Sequence, residues 1–120
     1  MSLVTVTNIV YNDLKGFLPL TSLLSRTLNG IHPLVAPENE KERFITYQIG
    51  EVPSLTKDGF KDIPVLVRCF SDTYESCCAI ADQVTEAYKA TDSSYSVGTS
   101  KPSYTEDGFL IEQNFNLKIQ

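Results

Sequence analysis

The clearest pattern in the chain runs from Lys61 to Ala90, where an alternating apolar segment passes directly into a helical one. Within Lys61–Phe70, Ile63, Val65, Val67 and Cys69 fall on one face of a predicted strand, and Pro64, Leu66, Arg68 and Phe70 on the other. From Thr73 to Lys89, Tyr74, Cys77, Cys78, Ala81, Val84 and Tyr88 recur with the period of about 3.6 residues that marks one face of a helix. Asp72 stands where an N-cap is expected, with Glu75 placed to complete a capping box. Only Ser71 and Asp72 separate the two segments, so strand and helix must pack together or on a shared sheet.

The same reading divides the rest of the chain. Thr5–Leu18 puts Val6, Ile9, Val10, Leu14 and Phe17 on one helical face, and Pro19 blocks simple continuation. Leu20–Ser25 predicts a short second turn with Leu20, Leu23 and Leu24 inward, closed by Asn29-Gly30. Ile31–Ala36, interrupted by His32 and Pro33, reads as an edge strand. A polar loop, Pro37–Arg43, leads to Phe44–Gly50, an alternating strand rich in aromatic and β-branched residues. After the long helix, Thr91–Ser94 is a connecting loop and Tyr95–Tyr104 a weaker strand diluted by serines, Gly98 and Pro102. Glu106-Asp107-Gly108 signals a hairpin. The last segment sets Phe109, Ile111, Phe115, Leu117 and Ile119 on one face, with Gln113 intruding. The order α-(β)-β-β-α-β-β predicts an α+β fold, a largely antiparallel sheet with two helices packed on one face.

Between the second and third strands, Val52–Phe60 leads to Asp58-Gly59, the strongest short hairpin signal in the chain. A two-residue loop there sets Lys57 opposite Phe60 and Pro53 opposite Pro64 at a hydrogen-bonded position. Neither proline has an N–H, so the ladder is expected to break at that level. Ser54–Ile63 then becomes a projecting arm, and Leu55, Lys57, Asp58, Phe60 and Lys61 are its candidate contact residues, with Arg68 behind them on the strand.

Length and composition narrow the function classes. The 120 residues suit one domain, 1–120, and the 42% hydrophobic and 21% charged content is that of a globular protein. No apolar run is long enough to cross a bilayer, so no membrane partner is expected. Ten basic residues against fifteen acidic ones give a net charge of −5, with the basic residues scattered, which argues against tight nucleic-acid binding. Three cysteines, two of them adjacent, form neither a disulfide framework nor a zinc pattern and read as small apolar residues. His32 is the one histidine and has no G-x-S-x-G elbow to work with. Glu38, Glu40 and Glu42 alternate with Lys41 and Arg43 in a solvated loop without a calcium-binding pattern. The glycines never approach a phosphate-cradling spacing. No catalytic, metal or cofactor residue is expected. Arg68, within an apolar strand, either reaches the rim or pairs with an acid from a neighbouring strand or subunit.

Two stretches carry a family resemblance: Gly30-Ile-His-Pro-Leu-Val-Ala-Pro37 followed by Arg43-Phe-Ile-Thr-Tyr-Gln-Ile49, and Val65-Leu-Val-Arg-Cys-Phe70 followed by Thr73-Tyr-Glu and the helix to Tyr88. Their order resembles the small tail-completion or tail-terminator (head–tail joining) proteins of long-tailed phages and prophages. There a leading helix precedes a "V-x-P-x-x-A-P" segment and an aromatic "P-[YF]-[IV]-x-[YF]" strand. A "[VI]-x-[VI]-x-x" strand then enters a helix beginning near "[ST]-Y-x-[ED]", and a hairpin closes the domain. Arg43-Phe44 stands where Pro-Tyr is commoner. The resemblance implies a non-enzymatic virion structural protein, assembled in the bacterial host cytoplasm and located in the tail or neck. It implies a self-assembled ring, often of six subunits, at the head-proximal end of the tail, with tail-tube and head–tail connector proteins as partners. The residues alone leave open a second reading, a small ligand-binding or regulatory α+β domain acting as a dimer.

Overall fold

The computed structural model describes residues 3–24, 30–36, 43–50, 61–91, 93–106 and 108–119. Helix α1 spans Leu3–Lys15 and the short helix α2 spans Leu18–Thr21. Strands β1 (Ile31–Pro33), β2 (Phe44–Ile49) and β3 (Lys61–Ser71) lead into helix α3 (Tyr74–Ala90), and β4 (Ser94–Thr105) and β5 (Gly108–Ile119) follow. The strands form one five-stranded sheet in the order β1-β2-β3-β5-β4. All pairs are antiparallel except β1 with β2, which run parallel. The α+β class expected from the segment order is the observed one, with α2 as a third, single-turn helix. Pro19 sits in the first turn of α2, where a missing N–H costs nothing.

The helices cover one face of the sheet. Val6, Val10 and Leu14 of α1, spaced by one helical turn, are fully buried there, and Ile9 and Phe17 pack at the margin. From the sheet, Ile45, Tyr47, Ile63, Val65, Val67, Cys69, Ile111, Phe115 and Leu117 face them, as their alternation predicts. Each such apolar side chain withdrawn from water contributes roughly 1.5–3 kcal/mol. Helix α3 buries Cys77, Ile80, Ala81, Val84, Ala87 and Tyr88. Its apolar face is therefore rotated from the expected one: Ile80 and Ala87 are in, Tyr74 is half exposed and Cys78 is marginal.

The helix also starts one residue later than its acidic cap predicts. Thr73 is the N-cap, with extended backbone and its Oγ1 accepting from the Ser76 N–H at 3.2 Å. Asp72 Oδ1 instead accepts from the Ser71 hydroxyl at 3.2 Å. The N3 position is then Ser76, so Glu75 completes no capping box and acts only as a first-turn acid on the helix dipole.

The β2–β3 register differs by three residues from the expected one. Ile49 stands opposite Val65, and the Gly50 N–H donates to the Pro64 carbonyl at 2.8 Å. Pro64 thus faces Gly50, not Pro53. An odd slip of register would turn one strand's apolar side to the wrong face; the observed register matches Ile45, Tyr47 and Ile49 with Cys69, Val67 and Val65. Gly50 is required at this place, because a Cβ on it would lie 2.9 Å from Pro64 Cβ. Pro64 has no N–H to return to Gly50, and β2 ends one residue earlier. The nitrogen of Pro64 points toward β2, so the β3–β5 ladder passes it undisturbed through Pro64↔Asn116. The predicted arm itself lies outside the described residues up to residue 60.

The β4–β5 hairpin closes at Thr105↔Gly108 and carries a bulge between Val97 and Ser100. Gly98 sits at the bulge because a Cβ there would lie 2.8 Å from the Asn114 carbonyl oxygen.

Candidate assembly interface

The face of the sheet away from the helices has no element on it among the described residues, and it is banded. At one end Phe44 and Phe70, directly opposite one another, stack with ring centroids 4.6 Å apart. His32 lies edge-on to Phe44 at 6.5 Å, and Leu110 is Phe70's partner on β5. The middle band is polar. Arg68 Nε donates to Glu112 Oε2 at 3.1 Å and its Nη1 to Gln48 Oε1 at 2.8 Å, so one guanidinium ties β2, β3 and β5 together. Of the two possibilities open for Arg68, the acid comes from a neighbouring strand of the same chain. Beyond it, Asp62, Pro64, Asn114, Asn116 and Lys118 are exposed.

Of the other candidate contact residues, Leu55, Lys57, Asp58 and Phe60 lie outside the described residues. Lys61 opens β3 opposite Ile119, seven residues along the strand from Arg68 and thus at the other end of the ladder.

Both sheet edges carry exposed apolar side chains, which periodicity alone does not reveal. At the end of β1, Leu34 has a positive φ of 59°, rare for a non-glycine residue, and together with Val35 it is largely exposed. Leu34 donates its N–H to the Tyr47 carbonyl at 2.8 Å, and Val35 donates to the Pro33 carbonyl at 2.6 Å. On the opposite edge, Val97 and Tyr104 of β4 are exposed, Tyr104 packing edge-on to Phe109 and Phe109 to Tyr74.

The thiols belong to the core. Cys77 Sγ donates to the Cys69 carbonyl at 3.2 Å and Cys69 Sγ to Gln113 Oε1 at 3.8 Å. Burial pushes the Cys77 thiol up to about 11, with Cys78 adding to the shift, and raises Cys69 as well. Such thiols are poor nucleophiles at neutral pH. No group of three or more His, Cys, Asp or Glu side chains is arranged to hold a metal ion among the described residues.

A seam between α1, α3 and β4 was not foreseen. Asp13 accepts from the Tyr95 hydroxyl at 2.6 Å and from Thr91 Oγ1 at 2.7 Å, beside a shallow cleft of ≈ 180 Å³. Tyr95 stacks on Tyr88 at 4.1 Å, and the buried Tyr88 hydroxyl has no hydrogen-bond partner among the described residues. Burial and the Asp13 bond hold the Tyr95 phenol well above its ordinary range, and burial does the same for Tyr88. Among the described residues the cleft is lined by this one carboxylate, already engaged by two hydroxyls.

No protein-family profile and no curated protein matches the sequence. Among solved structures, one chain of the virion of a native gene transfer agent particle aligns with a TM-score of 0.62 at 17% identity, covering 92% of this chain and 90% of that one. A crystal structure from Akkermansia muciniphila aligns at 13% identity over 61% of this chain and 40% of the other, and its TM-score of 0.41 is too low to carry an argument. At its level of identity, the likeness to the gene-transfer-agent chain is one of fold, and it extends over nearly the whole length of both chains.

Proposed function

We propose that this chain is a non-enzymatic virion structural protein of a phage-like particle. In its finer form, the reading is a tail terminator or completion protein that assembles as a ring at the head-proximal end of the tail and joins tail to head. The observation that carries the reading is the near full-length fold likeness to a chain of a gene transfer agent virion. The segment order that resembles tail-completion proteins supports it independently. A net charge of −5 suits a channel through which DNA passes without adhering, because phosphates are repelled.

The test is co-expression with the tail-tube protein of the same particle, followed by negative-stain microscopy and native mass spectrometry. Rings seated at one end of the tubes are the expected outcome. A chain that stays a strict monomer or dimer beside assembled tubes would sink the reading.

A further inference from the structure

The β4–β5 turn is pressed against the junction of β3 and α3. Ser71, the last residue of β3, stands opposite Phe109, and Tyr104 is the neighbour of Phe109 on β4. Gly108 has a φ of 141°, and a Cβ on it would lie 2.5 Å from the Ser71 carbonyl oxygen and 3.4 Å from Asp72 Cα. Only glycine allows so close an approach. The residues that open α3 and those that close the hairpin therefore share one corner of the molecule.

Three aromatic rings run through this corner. Tyr74 meets Phe109 at 5.8 Å and 63°, and Tyr104 meets it at 5.3 Å and 70°. Phe109 packs against the core, so it anchors two rings that are themselves 50% and 72% exposed. Tyr104 shares the helix-side face of the sheet with Phe109, yet α3 starts only at Tyr74 and leaves the edge strand bare at this end.

The charge beside the rings is negative. Asp72, Glu75 and Glu106 are exposed, and none has an ion-pair partner among the described residues. The one cation of β4, Lys101, stands opposite Glu112, on the face of the sheet away from Tyr104. Arg68 is on that same face and bound to Glu112. Lys118 and Lys89 lie at the far ends of β5 and α3, both of which start at the corner. Arg43 is at this end of the sheet but beside β2, which β3 and β5 separate from β4, roughly 14 Å at ordinary strand spacing. Three carboxylates around two open tyrosine rings thus keep a net negative charge.

We propose that this corner receives an arginine-bearing segment of a partner protein, a guanidinium lying against the Tyr104 ring and donating to the carboxylates around it. The chemistry selects the occupant. A purely apolar segment would cover the rings but strip water from three carboxylates with nothing in return. A phosphate-bearing partner is repelled by the same three groups. Lysine would meet the charge, but arginine also offers a flat, weakly hydrated face that stacks on an aromatic ring while its edge donates to carboxylates. The proposal goes beyond the ring reading and does not depend on it, since every group it uses belongs to one folded chain.

The experiment titrates the full chain, at low salt, into a fluorescein-labelled tetra-arginine peptide and follows its anisotropy, with a tetra-lysine peptide in parallel. The arginine peptide is expected to bind more tightly. Tyr104→Leu keeps an apolar side chain but removes the aromatic face, and is expected to weaken binding about 2–5-fold, the range of an exposed cation–π contact. Glu106→Gln is expected to weaken it too. Asp82→Asn removes the same charge from an exposed position about two turns along α3 from Tyr74, and is expected to leave binding unchanged. All three side chains are exposed, so melting curves should match the wild type. An arginine peptide that fails to bind, equal binding of both peptides, or no loss with Tyr104→Leu would each overturn the proposal. So would an equal loss with Asp82→Asn, because the attraction would then be that of a chain of net charge −5 for any cation. Light scattering in which Tyr104→Leu abolishes a larger wild-type mass would give the corner to a second copy, and would overturn it as well.

Discussion

Gln113 and Arg68 stand on adjacent rungs of the β3–β5 ladder and on opposite faces of the same sheet. Each is a polar residue in an apolar strand, and the two environments treat them differently. Gln113 is 4% exposed beneath α3; its Nε2 donates to the Ala81 carbonyl and to Thr85 Oγ1, both at 3.1 Å, and its Oε1 accepts from Cys69. Arg68 keeps about a third of its side chain in solvent, as does Glu112, its partner. Burial makes the first network structural, since an unsatisfied amide there would bear its whole desolvation cost. Solvent makes the second nearly free to change. The covered face is therefore where the fold is held, and the open face and edges are where contacts can be made at small cost to stability.

The largest expected effect tests the covered face. Gln113→Ala leaves a void and deprives Cys69 and Thr85 of a partner, and should lower the unfolding free energy by about 2–4 kcal/mol in urea denaturation. A loss under about 1 kcal/mol would show the amide to be a passenger in the core.

The next effect concerns the seam at Asp13. Burial, then the bond to Asp13, raises the Tyr95 phenol in the folded state, so above the unfolded value of about 10 the unfolded chain has released a proton that the folded chain keeps. Stability from this group is complete below that pH and falls as pH rises past it. Melting temperatures followed through alkaline pH should drop more steeply for the wild type than for Tyr95→Phe. At neutral pH the same substitution should cost about 1–2 kcal/mol by removing a hydrogen bond to a carboxylate. Parallel alkaline profiles for the two proteins would mean that Tyr95 ionises freely.

The smallest effect belongs to the open face. Arg68→Met should change stability by no more than about 1 kcal/mol, because a part-exposed ion pair contributes little. If it costs as much as Gln113→Ala, the two faces are not different in kind and the contrast fails.

Much of the covered face was legible from residue order. The odd-numbered residues of Ile63–Cys69 and the heptad-like run of α1 went to the core because alternation and helical period have no other way to bury them. Even the parity of the β2–β3 register was present in the chain, since Ile45, Tyr47 and Val65, Val67 are all odd-numbered and must share a face. The Asp58-Gly59 signal overrode it, because a turn motif is local and the cost of a flipped face is not. The choice of Thr73 over Asp72 as cap had no such signal, since both residues cap well and only the packed height of α3 separates them.

The candidate interface was mostly illegible. Val35 and Val97 look like ordinary strand valines, and their exposure follows from which strands ended at the edges. Arg68's acid lies 44 residues away, and Tyr95's carboxylate 82 away, distances that no periodic pattern spans. By itself, then, the sequence determined the elements and, for α1, β3 and β5, the side each turns to the core, because hydrophobic burial acts on local period. Strand order, register and the partners of every polar intruder were decided only in the tertiary structure, where long-range pairing sets which groups lose water and which keep it.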